Sequence, residues 1–271
     1  MGQETAPRRL ALITGASSGI GQAFARIAAA NGFDLCLVAR REDRLKAVIG
    51  ELSAEFGIAG YALPADLCDP SSPEKVISAL EAQGRSVDVL VNNAGYSLRH
   101  VFSKTTLEDQ ARFIELTVKT PVAFSHLVLP AMLERGWGRI INIASIAAFS
   151  SGGKGHTLYP AGKSFLIKFS QSLSAETKSS GIHVTAVAPG FVDTEFQQAN
   201  DITDVMDRTP KFAVQSAEEI AEEAWARNEK GVEVVVPGLL PKIGAAFLRY
   251  LPEQIVTPFT RRAAAQSYVG D

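Results

Sequence analysis

The sequence predicts an α/β domain built on a seven-stranded parallel sheet wound on both faces by helices, followed by a C-terminal amphipathic helical extension. Two observations predict it. Short, β-branched apolar runs alternate with longer stretches of helical periodicity along most of the chain, the rhythm of a parallel sheet covered by helices. The first such run also passes directly into a glycine-rich turn that opens a helix, and in doubly wound sheets the ligand crevice lies at such junctions.

The elements follow in order. A strand at 10–14 leads to a helix at 20–31, a strand at 34–39 and a helix at 42–56. Further strands are expected near 60–63, 87–91, 138–144, 182–188 and 232–236, with helices near 72–83, 107–134, 159–179 and 217–228 between them. No linker rich in Pro, Ser or Gly and no internal repeat interrupts the series, so residues 9–237 read as one domain. The segment 238–271 differs. There Leu239, Leu240, Ile243, Ala246, Phe247, Tyr250 and Leu251 recur at roughly helical spacing among Lys242, Arg249, Arg261 and Arg262. A terminal helix packed on the domain or on another subunit is expected. A lid over an apolar substrate site and a basic segment resting on a membrane surface are the alternatives.

Composition narrows the function classes. The 271 residues carry 27 basic and 29 acidic side chains, a net charge of −2, with both signs interspersed, which argues against a nucleic-acid partner. Hydrophobic residues make up 46% and charged ones 21%, the balance of a globular protein rather than a disordered or collagen-like one. Cys36 and Cys68 are the only cysteines, which excludes a disulfide scaffold and suits a reducing cytosol. The polar residues before Leu10 lack an export signal, and no run reaches the roughly 18 uninterrupted apolar residues of a spanning helix. A cytoplasmic protein is expected. His100 and His156 lack metal-ligand spacing, so no metal is expected.

The turn Thr14-Gly15-Ala16-Ser17-Ser18-Gly19-Ile20-Gly21 has the form of a phosphate cradle. Its glycines allow close backbone approach, and free N–H groups at the helix N-terminus favour an anion. Its GxxxGxG spacing, led by threonine, resembles the short-chain dehydrogenase/reductase family. Three further stretches carry that resemblance: Asn92-Asn93-Ala94-Gly95, the YxxxK of Tyr159 to Lys163, and Pro189-Gly190 with Thr194 four residues on. The wider sequence is similar to the bacterial steroid and 3-ketoacyl-thioester reductases of that family.

The resemblance implies that residues 9–237 form a dinucleotide-binding Rossmann domain that includes the catalytic site. It assigns Gly15, Ser17, Ser18, Gly19, Ile20 and Gly21 to the cofactor phosphates, and Asp66 and Leu67 to the adenine. Asn93, Ala94 and Gly95, beside a strand-stabilising Asn92, would line the cofactor. Pro189, Gly190, Val192 and Thr194 would lie beside the nicotinamide amide, with Tyr159 and Lys163 also reaching the cofactor. The second strand ends in Val38-Ala39-Arg40-Arg41 with no acid to hold a ribose 2′-hydroxyl. A guanidinium at Arg40 or Arg41 would grip a 2′-phosphate instead, so NADP(H) is expected over NAD(H).

Tyr159 and Lys163 lie four apart and share a helix face. Reduction of a ketone builds an alkoxide that needs a proton, and a free phenol, with a pKa near 10, is poorly matched to neutral pH. The Lys163 ammonium and an oxidised nicotinamide are expected to favour phenolate and lower that pKa. Ser145 lies fourteen residues before Tyr159, close to the family's usual separation, so the resemblance implies that it bonds the substrate oxygen, with Ser150 and Ser151 as weaker candidates. One position departs from the resemblance: Thr117 stands where the family usually carries an asparagine that holds a water of the proton relay. A threonine hydroxyl holds a water with fewer bonds, which leaves the Tyr159 acid in place while weakening the relay.

The loops 96–103, 147–158 and 191–212 should converge above the strand ends and contribute Tyr96, Phe102, Phe149, Phe191, Phe196 and Phe212. These aromatics point to an apolar ketone or secondary alcohol. A 3-oxoacyl thioester reductase that docks a carrier protein on Arg99, Lys104 and Lys119 is one alternative. A catalytically silent NADP-binding regulator is another. Assembly as a homodimer or homotetramer through the helices at 107–134 and 159–179 is implied by the resemblance alone.

Overall fold

The structure, a computed structural model, describes residues 8–98, 100–194 and 211–267, with side chains described as far as Arg262. Strand β1 (Leu10–Thr14) is followed by α1 (Gly19–Ala30), β2 (Asp34–Ala39), α2 (Glu42–Phe56), β3 (Gly60–Pro64), α3 (Ser72–Glu81) and β4 (Val89–Asn92). Then come α4 (Leu107–Ile114), α5 (Thr120–Arg135), β5 (Gly138–Ile143), α6 (Tyr159–Thr177) and β6 (Ile182–Val187). The short β7 (Phe191–Val192) and β8 (Val214–Gln215) precede α7 (Ala217–Asn228), β9 (Val234–Val235), α8 (Leu239–Tyr250) and α9 (Glu253–Ser267).

The main sheet has seven parallel strands in the order β3-β2-β1-β4-β5-β6-β9, the expected doubly wound arrangement. Succession reverses between β1 and β4, so a crevice opens beyond their C-terminal ends. Side chains alternate across the sheet with the two-residue period of a strand. Ala11 and Ile13 of β1 face a core shared with Phe24, Leu45 and Ile220 of α1, α2 and α7. Leu10 and Leu12 face a second core with Leu80, Phe124 and Met132 of α3 and α5. Every residue of β1, β4 and β5 is buried, as a sheet covered on both faces requires.

Two expectations need correction. The helix expected at 107–134 is not uniform: a five-residue π turn, Glu115–Lys119, separates α4 from α5. Such turns widen the helix and recur at functional sites. The rod Leu107–Arg135 is long and apolar enough by length and composition to cross a membrane. Here it packs against α3, β4, β5 and α6 as a core element. The extension is two helices rather than one. Its first, α8, packs on the 3-10 turn Ile146–Phe149, with Pro241 against Gly190 and Lys242 paired to Glu223 at 2.7 Å. The second, α9, is joined to the domain by a 3.0 Å hydrogen bond between the hydroxyls of Thr257 and Ser151.

Candidate active site

The phosphate turn is locked to β4 by one threonine. Thr14 Oγ1 accepts from the backbone N–H groups of Asn93 at 2.9 Å and Ala94 at 3.1 Å, and donates to Val91 O at 3.3 Å. Asn93 Nδ2 returns the tie, donating to Thr14 O at 3.0 Å and Gly15 O at 3.2 Å. Gly15 needs its φ of +65°, and a Cβ there would lie 2.8 Å from Asn93 Nδ2. A Cβ at Gly21 would lie 2.3 Å from Gly15 O, so α1 presses directly on the turn.

Ile20 packs inward on the core, while Ser17, Ser18 and Gly19 stay at the surface of the crevice. Ser18 starts α1 with no side-chain cap, which leaves first-turn N–H groups for an anion. Thr194 lies over the turn, its Cγ2 2.9 Å from where a Gly19 Cβ would be. Both Arg40 and Arg41 are exposed, and Arg41 reaches back to donate to Ser17 Oγ at 3.1 Å. A glycine cradle with a guanidinium at its rim fits the phosphates of a dinucleotide.

On the adenine side, Asp66 Oδ1 accepts from Cys68 N–H at 3.1 Å and Oδ2 pairs with Arg112 at 3.0 Å. The Cys68 N–H, aided by Arg112, holds this carboxyl below the usual carboxylate range. Leu67 is buried and its carbonyl accepts from Thr120 at 2.8 Å. The sequence reading missed Arg112. It meets Asp66 from α4, 46 residues away, and no local pattern marks such a contact.

The catalytic candidates gather at the C-terminal end of β5. Ser145 follows that strand in extended conformation, and its hydroxyl accepts from Ala147 N–H at 3.2 Å. Tyr159 opens α6, with the Ser145 side chain close enough to its hydroxyl to oppose a rise in its pKa. Lys163, one turn later and only 7% exposed, donates from Nζ to Ile143 O at 2.8 Å and stands 5.7 Å from the Tyr159 ring centroid. Burial lowers its pKa to about 8. Gly95 closes the other side, because a Cβ there would lie 3.7 Å from Lys163 Nζ.

The expected phenolate is not favoured in the free chain. Burial raises the Tyr159 pKa, and the Ser145 side chain only partly opposes that rise. Desolvation penalises the charged form, and the lysine's hydrogen bond goes to a carbonyl of β5.

A buried polar chain sets the position of α6. Asn92 Nδ2 donates to Asn142 Oδ1 at 2.8 Å, Asn142 Nδ2 donates to Ser170 Oγ at 2.9 Å, and Ser170 donates to Leu166 O at 2.7 Å. Asn142 and Ser170 were missed from sequence. A polar residue within an apolar strand run was the available signal. Thr117 lies in the π turn and is 2% exposed, with its methyl 2.9 Å from where a Gly162 Cβ would be. Its hydroxyl is buried without a protein hydrogen-bond partner.

The residues expected to line the substrate are less concentrated. Pro189 O accepts from Ile146 N–H at 3.0 Å, Gly190 meets Pro241, and Val192 is buried in β7. Phe149 belongs to the turn after Ser145 and packs against the cluster of Leu166 and Ile167. Tyr96 is held on α4 by an edge contact to Phe113 at 5.5 Å and by donating to Asp109 O at 3.4 Å, and burial pushes its phenol up to about 12. Phe191, Phe102 and Phe212 are exposed, and Phe196 and Arg99 lie outside the described residues. Ser150 turns to Ala147 O and Ser151 to Thr257, which takes both from the reaction centre. An open cavity of about 480 Å³ lies between Gly152, Gly153, Lys154, Thr157 and Arg261, joining the loop before Tyr159 to α9. Among the described residues, no group of three or more His, Cys, Asp or Glu side chains is placed to hold a metal ion.

Residues 9–204 match the family described as short chain dehydrogenase. The chain is 35% identical over 216 residues to 3-oxoacyl-(acyl-carrier-protein) reductase FabG of Escherichia coli (strain K12), covering 79% of this chain and 86% of that protein. The short-chain dehydrogenase from Sphingobium yanoikuyae in complex with NADPH superposes with a TM-score of 0.78 at 35% identity, over 85% of this chain and 88% of that one. The bulky-bulky ketone specific alcohol dehydrogenase from Comamonas testosteroni superposes with a TM-score of 0.74 at 26% identity, over 97% of this chain and 95% of that one.

Proposed function

We propose that this chain, which belongs to the short-chain dehydrogenase/reductase family and is an NADP-dependent oxidoreductase of small carbonyl or alcohol compounds, reduces an apolar ketone with Tyr159 as proton donor. The observation that carries this reading is the gathering of Ser145, just after β5, and Tyr159, at the start of α6, with the buried Lys163 Nζ 5.7 Å from the Tyr159 ring. The turn Gly15 to Gly21, with Arg41 at its rim, would hold the phosphates of NADPH, which supplies the hydride. The similarity to an NADPH complex supports the cofactor, as does the absence of an acid at the end of β2.

The chain's own residues supply the proton chemistry. Ser145 can turn its hydroxyl to the substrate oxygen as charge builds there. Tyr159, with a raised pKa, is a neutral phenol at physiological pH and so carries the proton an alkoxide takes. Lys163 is charged below about pH 8 and stabilises the phenolate left behind. In the opposite direction the same groups receive the proton. The turn carrying Phe149, which follows Ser145, would line the ketone. Assembly through α5 and α6, where Leu133 and Phe165 are exposed, belongs to the same reading.

The test is NADPH oxidation with a panel of apolar ketones. Tyr159→Phe should lower turnover by about 10²–10⁴-fold while NADPH still binds. Unchanged turnover would remove Tyr159 as the acid. No turnover by the wild type on any carbonyl compound would favour the silent regulator, against which the intact trio weighs. A 3-oxoacyl thioester belongs in the panel because the similarity to the FabG reductase favours it as a second substrate class. The carrier-docking patch is weaker support, since Lys119 is paired with Glu115.

A further inference from the structure

The extension is built with its apolar side outward. On α8 the residues that pack on the domain are Pro241 and Ala245, with Gly244 and Leu248 half-buried beside them. The opposite face carries Leu239, Ile243 and Tyr250, exposed by 73%, 57% and 74%. Phe247 continues that face to α9, meeting Phe259 edge-on at 6.1 Å, and Phe259 is itself 64% exposed. Helical spacing of 239, 243, 247 and 250 puts these four on one stripe. A contiguous apolar patch of this kind marks a contact surface.

Charge identifies what covers it. Residues 238–262 hold four basic side chains, Lys242, Arg249, Arg261 and Arg262, and one acidic one, Glu253, in a chain whose net charge is −2. Lys242 is paired with Glu223, which leaves Arg249, at the border between the packed and exposed sides of α8, and Arg261 and Arg262 of α9 as the basic groups of the extension. From there, long side chains reach polar headgroups while the stripe beside them enters the acyl boundary. A second copy of the same face would bring like charges together, whereas an anionic bilayer neutralises them.

We propose that α8 and α9 dock this protein on the surface of an anionic lipid bilayer, with the stripe Leu239, Ile243, Phe247 and Tyr250 entering the interface and Arg249 and Arg262 meeting headgroups. Because α8 packs on the turn that follows Ser145, docking sets the active-site end of the molecule against lipid. The proposal stands independently of the substrate reading, and its test needs no turnover.

The test is sedimentation of the full chain with vesicles of phosphatidylglycerol and phosphatidylcholine, against vesicles of phosphatidylcholine alone. Binding to the mixed vesicles, falling with added salt, is expected. Ile243→Ser with Phe247→Ser should reduce it by about tenfold or more. Arg249→Gln and Arg262→Gln should each reduce it by about fivefold. Retained melting temperature and NADPH binding separate these effects from misfolding. No binding to mixed vesicles, or equal binding to both kinds, overturns the proposal. So does an assembly that becomes smaller in the serine double variant without any vesicle binding, which would make the stripe a contact between copies.

Discussion

Around α6, polar and charged side chains are inside and joined by hydrogen bonds, while on α8 large apolar side chains are outside. Lys163, Asn92, Asn142 and Ser170 are each at most 7% exposed, and Asn142 and Ser170 are wholly buried. Leu239 and Tyr250 are nearly three-quarters exposed. Burying polar groups carries a penalty unless each finds a partner, so the first region is held to one geometry by hydrogen bonds across three elements. The second is held by small residues and two polar ties, which leaves its large residues for another surface. A strict geometry suits proton transfer, and a spare apolar face suits docking.

Four substitutions sharpen this contrast. The largest effect belongs to Lys163. Its folded pKa of about 8 lies below the ordinary 10.5, so below about pH 8 the ammonium is charged in both states and its burial opposes folding. Between about 8 and 10.5 the unfolded chain binds more protons, and stability rises with pH. Relative to Lys163→Met, the wild type should gain about 3 kcal/mol across that window, read from urea unfolding on either side of it. A parallel pH dependence in the two proteins would mean that Lys163 is solvated.

Asn142→Ala should destabilise by about 2 kcal/mol, because it leaves the buried Asn92 amide with only a 3.5 Å contact to Pro121 O and removes the Ser170 contact. Urea midpoints measure this, and a change below about 0.5 kcal/mol would show the chain to be dispensable. At the open edge of the site, Arg41→Asp should shrink the preference for NADPH over NADH by about tenfold or more, since a carboxylate repels the 2′-phosphate. Fluorescence titration with both cofactors decides it, and an unchanged ratio would pass the role to Arg40. The smallest effect belongs to the extension: Ile243→Ser should change unfolding free energy by no more than about 0.5 kcal/mol. A larger loss would mean that this stripe is packed in solution.

Much of the site was legible because its constraints are local. The turn from Thr14 to Gly21 must accommodate a positive φ and a backbone contact between residues six apart, and only glycine allows both. Tyr159 and Lys163 share a face by helical spacing alone. The aromatics were less legible. Phe149 lies beside Ser145, but Tyr96 is tied to α4 and Phe212 faces solvent, because a loop residue's direction depends on what packs behind it. The π turn at Thr117 escaped notice for a similar reason, as its residues have ordinary helical periodicity.

By itself the sequence determined the order of strands and helices and the glycine turn, which follow from short-range spacing, while the roles expected of Ser145, Tyr159 and Lys163 came from the resemblance of their motifs to the family. The tertiary structure decided that Arg112 meets Asp66, that Asn92, Asn142 and Ser170 form one chain, that burial raises the Tyr159 pKa rather than lowering it, and that the apolar side of α8 faces outward. Each of these depends on which residues distant in sequence come to lie beside one another. Desolvation is a property of the packed neighbourhood, and strand and helix periodicity sort residues onto faces without saying which face is covered.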